Sequence, residues 1–395
     1  MRINDFDALK RGIIFIFLFL LVYISCSVLS LSGEERLANK SEGERKSVKK
    51  MRARDLGIVI GVFNTGKYNA ITDVAGIRVG QITLIEGEDV RTGVTVILPH
   101  EGNIFKEKIP AAVYVGNGFG KLIGSTQINE LGNIETPIVL TNTLSVWTAA
   151  DAIADYILSL EGNEKVYSVN PVVGETNDSY LNNIRKRSIR KEHILEAIEN
   201  AKSGYVEEGN VGAGTGTVCF GMKGGIGSSS RVLPDKLGGF TIGVLVQTNY
   251  SGLLNINGIP IWKSLPNYPF QKEIQGAGSC MIIVATDAPI SHHNLYRLAK
   301  RAILGLAKTG SFMSNGSGDY VIAFSTNSEL RVSYDKSELN EISDKISQQS
   351  LNALFQAVVE ATEEAILNSL TMASAMSGYL NHKVEAINLD IFYKK

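Results

Sequence analysis

Gln275-Gly-Ala-Gly-Ser-Cys-Met-Ile-Ile-Val-Ala-Thr-Asp-Ala-Pro289 joins two unlike pieces of chain. Residues 275–278 are small and flexible, and their two glycines reach backbone angles closed to other residues. Residues 280–285 form a short apolar run with β-branched members, bounded by Asp287 and Pro289, which predicts a buried strand. Ser279 stands at the junction. Its hydroxyl can attack the Gly278 carbonyl, and an N-to-O acyl shift followed by hydrolysis would leave Ser279 as a new N-terminus. That one residue would then carry a nucleophile and a free α-amine. With an ordinary pKa of about 7.7–8.0, the amine suits the role of base to its own hydroxyl. Read alone, a Gly-Ser step ahead of a strand is more often a plain turn. Neighbours on a strand face opposite sides, so only one of Ser279 and Cys280 can face a site there.

Outward from this stretch, strands and helices alternate. Residues 70–81, 92–99 and 111–115 predict strands, the last ending in Gly116-Asn-Gly118. Ser145 and the polar residues before it precede a helix expected from about residue 146 to 160. A strand over 166–173 delivers residues 174–180 at its end, and a helix follows over 191–201. The strand over 240–249 presents Asn249 at its end. Residues 262–270, with Pro266, Pro269 and aromatics, predict a loop over the mouth of a site. A striped helix over 292–307, a hydroxyl-rich loop over 309–319, a strand over 320–325 and a long amphipathic helix over 351–370 complete the pattern. The rhythm is that of a mixed α/β unit, without strict βαβ repetition.

Composition narrows the function. The chain has 395 residues, 44% apolar and 20% charged, enough for a sizeable core. A net charge of −1 offers no basic field for nucleic acid. Five histidines without H-E-x-x-H spacing argue against a metal site, and no cofactor motif is complete. In particular, the Gly-rich residues 209–231 contain Gly212-Ala-Gly-Thr-Gly216 and Lys223, but neither a P-loop nor a correctly spaced dinucleotide fingerprint. Close-packed backbone near a substrate is the better reading. His292 and His293 read as the start of a helix rather than as catalytic bases. Cys219 and Cys280 read as free, buried thiols.

Residues 1–32 stand apart. Arg2, Lys10 and Arg11 precede an uncharged apolar run and then small residues, the pattern of a signal peptide. This predicts export to the periplasm or beyond. Retention as a membrane anchor through residues 13–31 is the alternative, and lipid attachment at Cys26 a weaker one because Tyr23 fits that motif poorly. Residues 33–55 read as a polar linker, leaving 56–395 as a single domain.

Several blocks, in order, carry a resemblance: Asn69-Ala-Ile-Thr-Asp-Val-Ala-Gly-Ile-Arg-Val-Gly80, Gly174-Glu-Thr-Asn-Asp-Ser-Tyr-Leu-Asn182, Gly209-Asn-Val-Gly-Ala-Gly-Thr-Gly216, Lys223-Gly-Gly-Ile-Gly-Ser-Ser-Ser-Arg231, Gly243-Val-Leu-Val-Gln-Thr-Asn249 and the Gly278-Ser279 stretch. Together they resemble the L-aminopeptidase/D-amidase/D-esterase family, which includes the β-peptidyl aminopeptidases. The resemblance implies a four-layer αββα sandwich like that of N-terminal-nucleophile hydrolases, self-cleaved between Gly278 and Ser279. It selects Ser279 over Cys280 as nucleophile. It implies Tyr180 and Asn249 as oxyanion donors, with Ser317 and Asp319 matching the family's second serine and nearby acid. The family pattern has Glu where this chain has Asp319, one methylene shorter, which leaves that role the least secure. Glu175 and Asp178 are candidate acceptors for the free amine of a small peptide, amide or ester substrate. A homo-oligomer of processed heterodimers is the expected assembly. An acyltransferase like ornithine acetyltransferase, which cleaves before Thr, and a non-catalytic relative remain alternatives. The α or β character and the handedness of the substrate are not decided at this level.

Overall fold

A computed structural model describes residues 50–265, 277–334, 344 and 346–392. The expected signal or anchor segment, residues 33–49 of the linker, Gln275 and the later part of the 262–270 loop lie outside these residues.

The described chain is tied into the core almost from its start. Arg52 donates through Nη2 to Asn69 O and Ser228 O, both at 2.7 Å, and pairs with Glu208 at 2.8 Å. Ala53 is fully buried, and Arg54 meets the buried Glu364 at 2.9 Å. The linker expected over 33–55 therefore ends before Arg52. Two of its basic residues meet buried carboxylates instead of solvent. The strand expected from residue 70 also starts late. The Asp73 carboxylate accepts the backbone N–H groups of Tyr68 and Ala70, which folds Ile71–Asp73 into a 3₁₀ turn.

The chain then runs through β1 (Arg78–Glu86), β2 (Val90–Leu98), β3 (Glu107–Gly118), α1 (Ser125–Leu131), β4 (Asn133–Ile134) and β5 (Ile138–Asn142). Next come α2 (Val146–Ser159), β6 (Val172–Thr176), α3 (Lys191–Glu199), β7 (Val218–Cys219), β8 (Met222–Lys223), β9 (Ile226–Val232) and β10 (Thr241–Asn249). The last part holds β11 (Ala277–Thr286), α4 (His292–Lys308), β12 (Gly316–Ser325), β13 (Val332–Ser333), α5 (Gln348–Thr371), β14 (Met376–Ser377) and β15 (Lys383–Val384).

Among the described residues two main sheets form. One has the order β1-β2-β5-β6, and the other β13-β3-β12-β11-β10-β9 with β4 beside β3. α2 and α3 cover the first sheet, α4 and α5 the second. The result is a four-layer αββα sandwich. One core fills the space between the sheets and under α2 and α3; the other lies between the larger sheet and α4 and α5. This explains why β11 is apolar along its length, since both faces are covered. Met281, Ile283 and Ala285 join the inter-sheet core, whereas Cys280, Ile282 and Val284 join the core under the helices. Ser279 is in step with Met281 and faces the gap between the sheets, while Cys280 faces away, as expected. Cys280 and Cys219 are both free and buried, and burial pushes the Cys219 thiol up to about 12. His292 opens α4, and its Nδ1 meets Ala111 O at 2.7 Å.

Candidate active site

Three strand ends of the larger sheet converge on the Gly278–Ser279 bond. Antiparallel pairing sets Ser279 opposite Asn249 on β10. Parallel pairing sets Gly278 opposite Ser317, Ser279 opposite Gly318 and Cys280 opposite Asp319 on β12. The Ser279 hydroxyl donates to the carbonyl oxygen of Gly278 at 2.6 Å, so the hydroxyl lies beside the peptide group that the sequence reading would have it attack. Glycine is needed at 278 because a Cβ there would stand 2.6 Å from Tyr250 Cα.

The two faces of the sheet divide the remaining groups. Asn249 is in step with Gln247 and Leu245 and faces the gap between the sheets, as Ser279 does. The Gln247 amide spans that gap to Thr141 O, Thr176 Oγ1 and Ala213 O. Asn249 Oδ1 accepts the Val218 N–H at 2.9 Å, and Nδ2 donates to Asn177 O at 3.0 Å. Ser317 and Asp319 lie on the other face, in step with Val321 and Ala323 of the helix-side core. Both are buried. Neither the Ser317 hydroxyl nor either Asp319 carboxylate oxygen has a well-formed hydrogen bond in the uncut chain. Burial raises the Asp319 carboxyl to about 6, opposed by the nearby Ser317 hydroxyl and Cys280 N–H. The nitrogen of Ser279 lies in the plane of the sheet. A charge formed there is open to groups on either face.

The smaller sheet supplies the opposite wall. β6 ends in Glu175 and Thr176, and Glu175 is buried with Oε1 accepting the Lys121 N–H at 3.0 Å. Lys121 Nζ lies 3.6 Å from the same oxygen. Glu175 Oε2 is buried without a partner, which leaves it an acceptor for a cationic group. Tyr180 is half exposed at the rim. Its ring stacks on His382 at 4.2 Å and 9°, and His382 Nδ1 meets Tyr180 O at 2.7 Å.

A cavity of about 580 Å³ opens between these groups, walled by Ser279, Asn249, Glu175 and Tyr180. Five of the proposed residues thus come together around one bond or its cavity, and Ser317 and Asp319 sit directly behind. Asp178 does not reach the wall. It is buried, accepts from Asn182 Nδ2 at 3.0 Å, and is raised to about 7 by burial. The amine-acceptor reading therefore narrows to Glu175. Among the described residues no cluster of His, Cys, Asp and Glu is arranged to hold a metal.

Other wall residues escaped the sequence reading: Phe119 and Lys121 after β3, and Tyr379, Leu380 and His382 from the turn between β14 and β15. The glycines around Asn117 hinted at the first pair. Leu380 and Asn381 hold positive φ angles of 56° and 59° in that turn, which a leucine does not announce.

Residues 69–384 match the sequence model of peptidase family S58. The chain is 38% identical over 360 residues to the β-peptidyl aminopeptidase BapA of Sphingosinicella microcystinivorans, covering 85% of this chain and 89% of that protein. Its structure is similar to that of the PH0078 protein from Pyrococcus horikoshii OT3, with a TM-score of 0.79 and 47% identity over 87% of this chain and 98% of that one. It is also similar to the L-aminopeptidase D-Ala-esterase/amidase of Ochrobactrum anthropi, described as a variant of the Ntn hydrolase fold. That TM-score is 0.78, with 35% identity over 87% and 96% of the two chains.

Proposed function

The chain belongs to peptidase family S58 and is an aminopeptidase, and we propose that it makes its own catalytic N-terminus by cutting the Gly278–Ser279 bond. The observation that carries the reading is the pair of buried, unsatisfied groups behind that bond. An orphaned carboxylate and hydroxyl are costly unless a partner arrives. A free α-ammonium on Ser279 would be that partner, and its charge would favour ionised Asp319.

In this reading the Ser279 hydroxyl attacks the Gly278 carbonyl carbon. The acyl group passes from nitrogen to oxygen, and water cleaves the resulting ester. The mature enzyme repeats the acyl chemistry on substrate. The α-amine takes the proton of its own hydroxyl, Ser317 and Asp319 position that amine, and Ser279 Oγ becomes acylated as the leaving amine departs. Asn249 Nδ2 and the Tyr180 hydroxyl donate to the developing oxyanion, each supplying roughly 3–4 kcal/mol of barrier lowering if it acts as a single donor. Glu175 accepts the free amine of the substrate.

Similarity to a β-peptidyl aminopeptidase and to an L-aminopeptidase D-Ala-esterase/amidase supports short peptides, amides and esters with a free amino end as substrates. Hydrolysis is preferred to acyl transfer because both named relatives are aminopeptidases and the nucleophile is Ser rather than Thr. The basic and apolar start of the chain supports export, and a homo-oligomer of processed heterodimers belongs to the same proposal.

The test is the intact mass of purified protein under denaturing conditions. Wild type should give two chains meeting at Gly278–Ser279, and Ser279→Ala one folded, inactive chain. A single active wild-type chain, or a cut Ser279→Ala chain, would sink the mechanism.

A further inference from the structure

The Gly-rich stretch over 209–231 encloses a lysine. Lys223 on β8 is fully buried, and its ammonium donates to Gly214 O at 3.0 Å, Thr217 O at 2.7 Å and Gly224 O at 2.7 Å. Three acceptors use all three protons of the charged form. Among the described residues no carboxylate lies within ion-pair distance of it. Burial pushes its pKa down to about 7, against the pull of Cys219 and Asp178. The glycines make the enclosure possible. A Cβ on Gly214 would stand 2.4 Å from Ile226 N, and one on Gly224 would stand 2.5 Å from Thr248 O. A buried cation without a counter-charge is costly, and the chemistry described above gives it no part.

The acceptor at Thr217 links it to the active site. Thr217 C=O and Val218 N–H belong to one planar peptide. Lys223 holds the carbonyl end at 2.7 Å, with the Gly224 N–H a longer second donor at 3.2 Å, and the N–H end donates to Asn249 Oδ1 at 2.9 Å. That bond settles which way the Asn249 amide points. Its oxygen faces the Val218 N–H, and its NH₂ gives one proton to Asn177 O, leaving the other for the cavity.

We propose that Lys223 is a positioning residue for the oxyanion site: its ammonium locks the peptide between Thr217 and Val218, and that peptide turns the Asn249 NH₂ toward the reacting carbonyl. The inference rests on the reading of Asn249 as an oxyanion donor. Without the lysine, the Thr217 carbonyl keeps only the longer Gly224 N–H bond, the peptide is held less firmly, and the oxygen end of the Asn249 amide loses its fixed partner while Asn177 O still holds the other end.

The test is a double-mutant cycle on kcat and KM, with turnover normalised to processed enzyme on a denaturing gel. Lys223→Met keeps an unbranched side chain but removes the donors. It should lower kcat by about 10- to 100-fold with KM nearly unchanged, short of the roughly 10²–10³ expected for losing the donor itself in Asn249→Ala. In the Asn249→Ala background, Lys223→Met should cost less than about twofold more, because its target is gone. An unchanged kcat in Lys223→Met, or its full loss repeated in the Asn249→Ala background, overturns the proposal. Near-normal turnover by Asn249→Ala overturns instead the donor reading beneath it. Should Lys223→Met fail to fold, Val218→Pro deletes the N–H that holds Asn249 and leaves the lysine in place. The same non-additivity with Asn249→Ala is expected there, and additive losses or an unchanged kcat overturn the proposal.

Discussion

At the scale of single residues, Asp319 carries a measurable sign. Its folded carboxyl titrates at about 6, against an ordinary 3.8, because burial disfavours the charge. Between those values the native chain holds a proton that the unfolded chain has lost. Stability from this group is therefore full below about pH 4 and falls as pH rises through 6, by about 3 kcal/mol at most. The effect belongs to the uncut chain, so it should be measured in Ser279→Ala. Urea denaturation of that variant should lose stability between pH 4 and 7. The double variant with Asp319→Asn should lack that part of the loss and be the more stable of the two above pH 6. Parallel pH profiles for the two would show that Asp319 ionises freely.

At the scale of elements, β10 and β11 approach so closely at Tyr250 that residue 278 has no room for a side chain. Gly278→Ala should push the start of β11 away from β10 and misplace the peptide to be cut. A denaturing gel should show a persistent full-length band, and normal processing with an unchanged melting temperature would remove the steric role. Much at this scale was legible in the sequence. β11, β10, α4 and α5 are long apolar or striped segments, and tertiary contacts only moved their ends, extending β11 to Ala277–Thr286 and α5 to Gln348–Thr371. Strand alternation put Ser279 and Cys280 on opposite faces, and the resemblance chose Ser279 for the site. Other features depended on partners distant in sequence. Arg52 and Arg54 look like a solvated charge run until Glu208 and Glu364 arrive from elsewhere. Ile71 and Thr72 look like strand residues until Asp73 turns the chain. Asp178 and Glu175 look equivalent, and only the cavity wall separates them. His382 reaches the site through a hairpin turn with two left-handed residues, neither of them glycine, a shape that local propensity does not foretell.

At the scale of the whole molecule, the strand order matters most. The proposed small fragment contributes β11 and β12, joined through α4, and these lie between β10 and β3 of the large fragment. Its α5 supplies Glu360 and Glu364 to the fully buried Arg231, at 3.2 and 2.7 Å. Removing either side of that pairing would strand a buried charge, typically at a cost of 3–5 kcal/mol. The two fragments should therefore co-elute in size exclusion and part only on denaturation. A precursor trapped in urea should remain whole and be cut after dilution, at a rate no faster than recovery of the folded signal. Cutting in urea, or before that recovery, would contradict this. Here the sheet order has a further meaning. The peptide to be cut meets Asn249, Ser317 and Asp319 only when a strand pair from late in the chain has entered a sheet begun early. Under the proposed self-cleavage, catalytic competence would then serve as the chain's own certificate of assembly: no active hydrolase would form before its last helix has docked.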